Sequence, residues 1–566
     1  MVFFRASPAG IISRNLGGAP RRRYASRRAY EHTHLKGLKL QSGGKPPPLV
    51  QLVYHQPNVV RLDPDLEEKR FRNRKHPGRL SIPPSELPEE MRKGILQYAA
   101  YSGCDLKALE KQSEELGNLL WQRRCKMEQS EINELSAEIE EELSYDLETP
   151  MTVEEQEKQQ QSLKQKVSQR LKSRVYKWKA IDYHSPEKCL MYLFARTPFE
   201  YASIRQILAE IRRRDRNFRP RSVMDFGSGL GSAFWASRAV WKESVEEYMM
   251  IDVCAEMNDL TRTLIEGGKP RGPPLHKNVA FRQYLPGGVE RRYDIIFACF
   301  SFLEVPSEEE RDRVIANLWE RTNKYLILVE NGTNAGYKMI LSLRDRILSS
   351  GKEIDKNRTK TMFEEKDMDM RILNEIFENK DLQPEQALQL LQSKVPADME
   401  IPRLLPAGHV FSPCPHDFSC PRFHSPDFAP CNFLARYFPF RPSAASSAQR
   451  GEMRTLRYSY AVLAKGERDT ADSGFNGWPR IVREPLRPRP KCVICRLCSP
   501  KGILEEVKLT KAKNGSKLKQ IGKYSRWGDL LPVQTFYAPK NNSEIDKTNE
   551  DVNNEAGDKT MASVKQ

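Results

Sequence analysis

Six of the chain's eleven cysteines fall between residues 414 and 498, as Cys414-Pro-His-Asp-Phe-Ser-Cys420, then Cys431, then Cys492-Val-Ile-Cys495-Arg-Leu-Cys498. Soft thiolate donors gathered this way are the chemistry of zinc or of an iron–sulfur cluster. Cysteines buried merely as small apolar groups would sit among apolar neighbours, whereas Pro, His, Asp and Arg surround these. The run CxxCxxC has the local look of a ferredoxin-type arm, while Cys414, Cys420 and Cys431 form a wider trio that needs one distant partner to reach four. Spacing leaves both ligand sets open. A secreted disulfide framework does not suit a chain of 566 residues whose apparent address is a thiol-reducing compartment.

A second stretch, Val223-Met-Asp225-Phe-Gly227-Ser-Gly229-Leu-Gly231, carries cofactor chemistry. A strand ending at Asp225 runs into three glycines at alternate positions, which let the backbone turn tightly and approach a ligand, and a helix from near Ser232 offers unpaired N–H groups. Asp252 closes the next strand 27 residues on, where a ribose hydroxyl would find a carboxylate acceptor. The spacing GxGxG in place of GxGxxG points to S-adenosylmethionine instead of NAD. The competing reading makes the glycines a bare strand-to-helix turn and Asp252 a helix cap.

Catalysis is less legible. Methylation of a base nitrogen typically needs an Asn/Asp-Pro-Pro-aromatic turn after the fourth strand, and that place holds Ala298-Cys299-Phe300-Ser301-Phe302-Leu303-Glu304. Cys299 lacks the preceding proline and the second cysteine of a cytosine C5 site, so it reads as a small apolar residue at a strand end. Glu304 is the remaining general-base candidate, against the plainer reading of a solvated loop carboxylate. No catalytic residue is assigned.

The elements that must position these groups follow from periodicity. SVMDFG, EYMMIDV, YDIIFACF and KYLILVEN, between about Arg221 and Val329, are short apolar runs separated by polar helical stretches, which predicts an α/β doubly wound, Rossmann-like parallel sheet covered on both faces. Ile204, Ile207, Leu208 and Ile211 predict a core-packed helix over Ala202 to Arg214, and Glu89 to Arg174 reads as long helices, one of them through Leu106, Leu109, Leu116 and Leu120. The expected organisation is 1–30 transit peptide, 31–90 extended basic, Pro-rich arm, 91–180 helical region and 181–405 methyltransferase-like domain. Beyond it are expected 406–470, the cysteine segment with the remaining strands, then 471–535, a basic module, and 536–566, a disordered tail.

Charge narrows the partner. The first 30 residues hold seven arginines and no acid, the make-up of a mitochondrial transit peptide. Discounting those seven from the net charge of +17 leaves +10, which still favours a polyanion. From Ile481 to Arg526 there are 13 Lys/Arg against 3 Glu, a surface suited to phosphates, with a merely solubilising run as the alternative. So short a polar-rich segment is expected to bury too little apolar surface to order itself. No run approaches the roughly 18–20 apolar residues of a membrane span.

The succession ARTPFEYASIRQIL, SVMDFGSGLGSAFWA, IDVCAEM, IIFACFSFLEVPS, LVENGTNAG, GHVFSPCPHDFSC, CNF, LCSPKG and SRWGDLLP resembles the methyltransferase-like protein 17 family of mitochondrial small ribosomal subunit assembly, from about Tyr192 to Pro532. The resemblance implies a class I methyltransferase fold, a [4Fe-4S] cluster on four cysteines, and a mitochondrial matrix protein that associates with the small subunit's rRNA and supports mitochondrial translation. By position it implies Cys414, Cys420, Cys431 and Cys498 as cluster ligands, with Cys492 and Cys495 as extras, and it sets Asp225, Gly227, Gly229 and Gly231 on the S-adenosylmethionine turn. An active rRNA methyltransferase of the same subunit is the alternative function.

Overall fold

The computed structural model describes residues 54–144, 152–242, 244–288, 291–423, 429–442, 452–468 and 475–537. The transit-peptide reading of 1–30 and the tail beyond Tyr537 lie outside them. After β1 (Val59–Leu62) come α1 (Glu89–Ser102), α2 (Leu106–Trp121), α3 (Gln129–Ser144) and α4 (Val153–Arg174). Their starts are written in the sequence: Asp105 accepts from the N–H groups of Lys107 and Ala108, and Thr152 and Glu155 form a reciprocal capping box. Of the predicted leucine stripe, Leu109 and Leu120 are buried, and α2 lies against α5 (Pro186–Ala195).

The predicted core helix is α6 (Thr197–Arg214), which begins at Thr197 instead of Ala202 because Pro198 suits a first turn, where its missing N–H costs nothing. The chain then alternates through β2 (Ser222–Phe226), α7 (Ser232–Trp241), β3 (Glu247–Ile251), α8 (Ala255–Ile265), β4 (Val279–Arg282), β5 (Tyr293–Cys299), α9 (Glu308–Glu320), β6 (Thr322–Asn331) and α10 (Asn334–Ser350). Three further helices, α11 (Lys356–Glu365), α12 (Met370–Glu378) and α13 (Pro384–Lys394), close on a separate cluster around Phe363, Leu373 and Leu391 before β7 (Gly408–Ser412), β8 (Phe433–Tyr437) and β9 (Arg454–Lys465).

The sheet order is β4-β3-β2-β5-β6-β9-β7, with β8 also paired to β9; β2 through β6 are parallel and β9 is antiparallel to its neighbours. Parallel strands covered on both faces need apolar residues at both parities, because successive side chains point to opposite faces. On β5, Ile295 and Phe297 enter one core and Ile296 and Ala298 the other; on β6, Tyr325, Ile327 and Val329 oppose Leu326 and Leu328. The first core takes α5 to α8, the second α9 and α10. This strand order with its antiparallel seventh strand is the class I methyltransferase sheet, α/β and doubly wound as the sequence predicts.

The C-terminal module corrects one expectation. β10 (Arg480–Ile481), β11 (Leu486–Arg489), β12 (Cys492–Cys498) and β13 (Leu504–Thr510) form an antiparallel sheet under α14 (Lys511–Tyr524), and β14 (Val533–Phe536) pairs with β1. Beneath the lysines lies a core of its own, including Ile481, Val493, Leu497, Val507, Leu509, Leu518 and Ile521. Leu62, Leu66 and Leu80 of the N-terminal arm complete it. At roughly 1.5–3 kcal/mol for each large apolar side chain fully buried, this core contributes to ordering the segment, which therefore buries more apolar surface than its composition suggests. Among the described residues no helix is long and apolar enough to cross a membrane.

Candidate functional site

The glycine-rich turn leaves β2 at its C-terminal end, with Gly227, Gly229 and Gly231 all in the left-handed region at φ 69°, 48° and 73°. Gly227 and Ser228 N–H donate to Ile251 O at 2.8 and 3.0 Å, which folds the turn over the end of β3. Asp252 sits directly after β3; its Oδ2 accepts from Gly229 N–H at 2.8 Å and its Oδ1 from Cys254 N–H at 3.0 Å. Thus the two sequence-predicted acids and three glycines come together in one crevice at the carboxyl ends of adjacent strands, the ligand position of open α/β sheets. A Cβ on Gly227 would stand 2.5 Å from Ser301 Cβ. Gly227→Ala is therefore expected to cost about 2–4 kcal/mol in urea unfolding, combining left-handed strain with overpacking. Gly287→Ala, where the added carbon meets nothing within 4 Å, should stay within about 0.5 kcal/mol.

The crevice is acidic. Burial, then the neighbouring Asp252 and Glu200 charges, push the Asp225 carboxyl up to about 8, and burial raises Asp252 despite its two backbone donors. Glu200 on α6 accepts from Tyr192 Oη at 2.6 Å and from Ser232 Oγ at 3.0 Å. The hydroxyls of Ser228 and Ser301, beside the glycines, are buried with no hydrogen-bond partner. A polar, cationic ligand would satisfy such a lining, and an anionic pyrophosphate would not.

After β5, where a methyl acceptor would enter, the side chains are engaged with other elements. Phe300 lies in the left-handed region at φ 59°, unusual for an aromatic residue, with its ring under Arg196 at 4.9 Å and against Phe199 at 5.4 Å. Glu304 is partly exposed and ion-paired: Arg123, just beyond α2, grips both its carboxylate oxygens through one guanidinium edge, with Nε to Oε1 at 2.7 Å. That guanidinium stacks over Trp178 at 4.7 Å, and Trp178 Nε1 donates to Leu303 O at 3.3 Å. Burial, then Asp225, Glu200 and Glu330, hold the Cys299 thiol far above its ordinary range. Arg123 and Trp178 escaped sequence analysis because nothing local marks a side chain that reaches another domain.

The cysteines are sorted by strand geometry. The CxxCxxC run is drawn out as β12, paired through Cys492 with Thr510, Cys495 with Val507 and Cys498 with Leu504. Cys495 faces the module core under α14, and Cys492 lies about 20 Å along the strand from Cys498. The run therefore cannot converge on one metal. Cys498 instead meets the trio: Cys431 packs against Tyr337, Leu341 and Cys420 on one side and against Val482, Leu504 and Cys498 on the other. Cys414, Cys420 and Cys431 line a common cavity of about 20 Å³. Tyr337 Oη donates to Cys420 Sγ at 3.2 Å, and His416 Nε2 lies 3.2 Å from Cys498 Sγ.

Around these thiols stand buried nitrogens short of hydrogen-bond partners. Arg422 is 1% exposed, with Nε and Nη2 unpartnered, and Arg344 Nε and His416 Nδ1 are likewise orphaned. Burial pushes the Cys414 thiol up to about 12 and Cys431 up to about 11, although Arg344 in the first case and Arg422 in the second pull the other way. Arg344 pairs with the half-exposed Asp345, but Arg422 has no carboxylate partner among the salt bridges of the described residues, and a buried guanidinium without a counterion is costly; four thiolates on a metal centre of net negative charge would supply one. Sequence analysis had only the His416 and Arg422 letters beside the cysteines; Tyr337 and Arg344 come from a helix some seventy residues away in the chain.

Comparisons with known proteins bear on the family of the chain. The 22%-identical Rsm22-cox11 tandem protein 2, mitochondrial, of Schizosaccharomyces pombe aligns over 61% of this chain and 43% of its own length. Solved methyltransferases such as the magnesium protoporphyrin IX enzyme of Synechocystis (11% identity, 51% of this chain and 91% of that one, TM-score 0.23) match at scores so low that the fold class rests on the strand order alone. The human ribosome assembly protein METTL17, mitochondrial, is 32% identical over 463 residues, 82% of this chain and 86% of its own. The family model for the mitochondrial small ribosomal subunit protein Rsm22 matches residues 186–357 and 404–532, passing over the α11 to α13 insertion. By that match over more than half its length, the chain belongs to the Rsm22 family, the one whose methyltransferase-like protein 17 relatives its motifs resemble.

Proposed function

We propose that this chain is a mitochondrial matrix assembly factor of the small ribosomal subunit that binds rRNA, with Cys414, Cys420, Cys431 and Cys498 holding a [4Fe-4S] cluster and thereby supporting mitochondrial translation. One observation carries the reading: Cys420 and Cys498 both pack with Cys431, and Cys414 lines one cavity with Cys420 and Cys431, at the seam between the methyltransferase-like sheet and the basic module, beside Arg344 and Arg422 with unpartnered nitrogens. Such a centre would stitch the module, with its surplus of lysine and arginine, to the body. The relatives' names, ribosome assembly and small ribosomal subunit, point the same way.

S-adenosylmethionine is the cofactor that fits the crevice. Asp225, Gly227, Gly229, Gly231 and Asp252 would hold it, and its sulfonium and ammonium would relieve the crowded carboxyls. When bound it supplies a transferable methyl group. The built crevice favours the second reading, an rRNA methyltransferase; the Arg123–Glu304 grip over the acceptor side opposes it. Replacing Asp225→Asn together with Gly229→Ala separates them. The assembly-factor reading expects small-subunit co-sedimentation, the cluster's absorbance and mitochondrial translation all to persist. Loss of translation with cluster and ribosome binding intact would turn the assignment to the enzyme.

A further inference from the structure

At the end of the sheet opposite the glycine-rich turn, a cavity of about 610 Å³ opens between the start of β6, the end of α6, the segment before β10 and the N-terminal arm. That volume lies in the range of ligand sites. Arg214 forms part of its wall. The Arg214 side chain is 5% exposed and spends its Nη groups on Glu210, Phe411 O and Asn476, but its Nε–H meets no acceptor. The half-buried rings of Phe411 and Phe475 line the same space, the first stacked 4.0 Å from the Arg214 guanidinium.

The charge around this space is mostly positive. Lys69, Arg216 and Lys324 are exposed along it, and none has a carboxylate partner among the salt bridges of the described residues. Two acids also reach it: Asp215, which accepts from Tyr325 Oη at 2.8 Å, and the exposed Asp65. Lys517 of α14 donates to the carbonyls of Leu66, Glu67 and Lys69, so the lip continues into the basic helix, where Lys511 and Lys513 are exposed. A cavity with ring faces, a buried unpaired donor and a cationic lip that runs on along a lysine-rich helix matches a nucleotide within a strand better than a free one.

We propose that this cavity receives an unpaired nucleotide of RNA, its phosphates on Lys69, Arg216 and Lys324, its base against Phe411 and Phe475, with Arg214 Nε as a hydrogen-bond donor. The proposal rests on the rRNA-binding reading and adds the place and the mode. The test is fluorescence anisotropy of the full chain with a labelled single-stranded RNA 12-mer, together with mapping of 4-thiouridine crosslinks. Arg216→Glu with Lys324→Glu should weaken binding about tenfold or more and flatten the salt dependence by about 1.4, two single-strand phosphate contacts. Phe475→Ala removes no charge, yet should cost about fivefold and erase crosslinks to the peptides holding Phe411 and Phe475. Unchanged melting temperatures would show that all variants fold. If Lys511→Glu with Lys513→Glu weakens binding while the cavity variants bind like wild type, and crosslinks map elsewhere, the cavity assignment falls and RNA binding stands. If the unaltered chain binds no RNA at low salt, the underlying reading falls as well. Uridine monophosphate binding as tightly as the 12-mer would make the cavity a free-nucleotide site and overturn the proposal.

Discussion

Cys498→Ser is expected to leave anaerobically purified protein colourless and to abolish its co-sedimentation with the small ribosomal subunit, while Cys492→Ser leaves both intact. The two residues share one strand, one chemistry and a buried setting, so general damage to β12 would affect them alike. They differ in neighbours. Cys498 lies 3.2 Å from His416 and packs with Cys431, whereas Cys492 pairs with Thr510 at the far end of the strand. Cys495→Ser should keep its colour and lose about 1–3 kcal/mol in stability, because it puts a hydroxyl into the apolar core under α14.

The co-sedimentation arm tests the seam. The module has its own core and Arg480 still bridges it to α6, so losing the cluster should loosen its seam with the methyltransferase-like body without unfolding it. Far-ultraviolet circular dichroism of Cys498→Ser should therefore stay close to wild type while ribosome association disappears. Colour lost in Cys492→Ser and Cys495→Ser but kept in Cys498→Ser would mean that the ligand set is wrong. Colour lost with ribosome binding unchanged would mean that the seam carries no coupling. A colourless wild-type sample holding one zinc per chain would replace the cluster with zinc, on the same thiols.

Arg480→Met should be strongly destabilising, by about 3 kcal/mol in urea unfolding, because it leaves the buried Glu210 carboxylate with Arg214 as its one remaining salt-bridge partner. Arg480 is 2% exposed and binds Glu210 through Nη2 at 2.6 Å and Nη1 at 3.1 Å. Its Nε donates to Pro413 O at 2.9 Å, next to Cys414, and Nη1 donates to Gly528 O at 2.7 Å. One side chain thus joins α6, the cysteine loop and the C-terminal module. Arg480→Met with Glu210→Met should recover only part of the loss, since Arg214 then loses its carboxylate partner.

The same pair sets a pH window. Burial by itself would raise the Glu210 carboxyl, but the Arg480 and then the Arg214 charges bring it down from 4.5 to about 2. A carboxyl depressed on folding contributes stability that is complete above its unfolded value and lost as pH falls through its folded one. Wild type should therefore lose this increment between about pH 4.5 and pH 2, and the double variant should lack that part of the acid limb.

Local order was legible in the sequence. The continuous apolar runs YDIIFACF and KYLILVEN are a property of each strand by itself and predicted a sheet covered on both faces, and the structure divides Ile295, Ile296, Phe297 and Ala298 between two cores accordingly. Three alternate glycines demanded left-handed backbone within a few residues, and the φ values of Gly227, Gly229 and Gly231 follow from that chemistry. The cysteine count announced thiolate chemistry. Which thiols meet is a different kind of fact. CxxCxxC could have been a loop that wraps a metal, and only its pairing with β13 straightens it, sends Cys495 into the core and leaves Cys498 beside residues 67 to 84 positions earlier. The arm leucines inside the C-terminal core, Arg123 closed on Glu304 from 181 positions away, and Arg344 beside Cys414 were invisible for the same reason. Periodicity and turn chemistry are set by neighbours along the chain, whereas a ligand set, a closed entrance and a counterion are set by contacts that exist only once distant segments have packed.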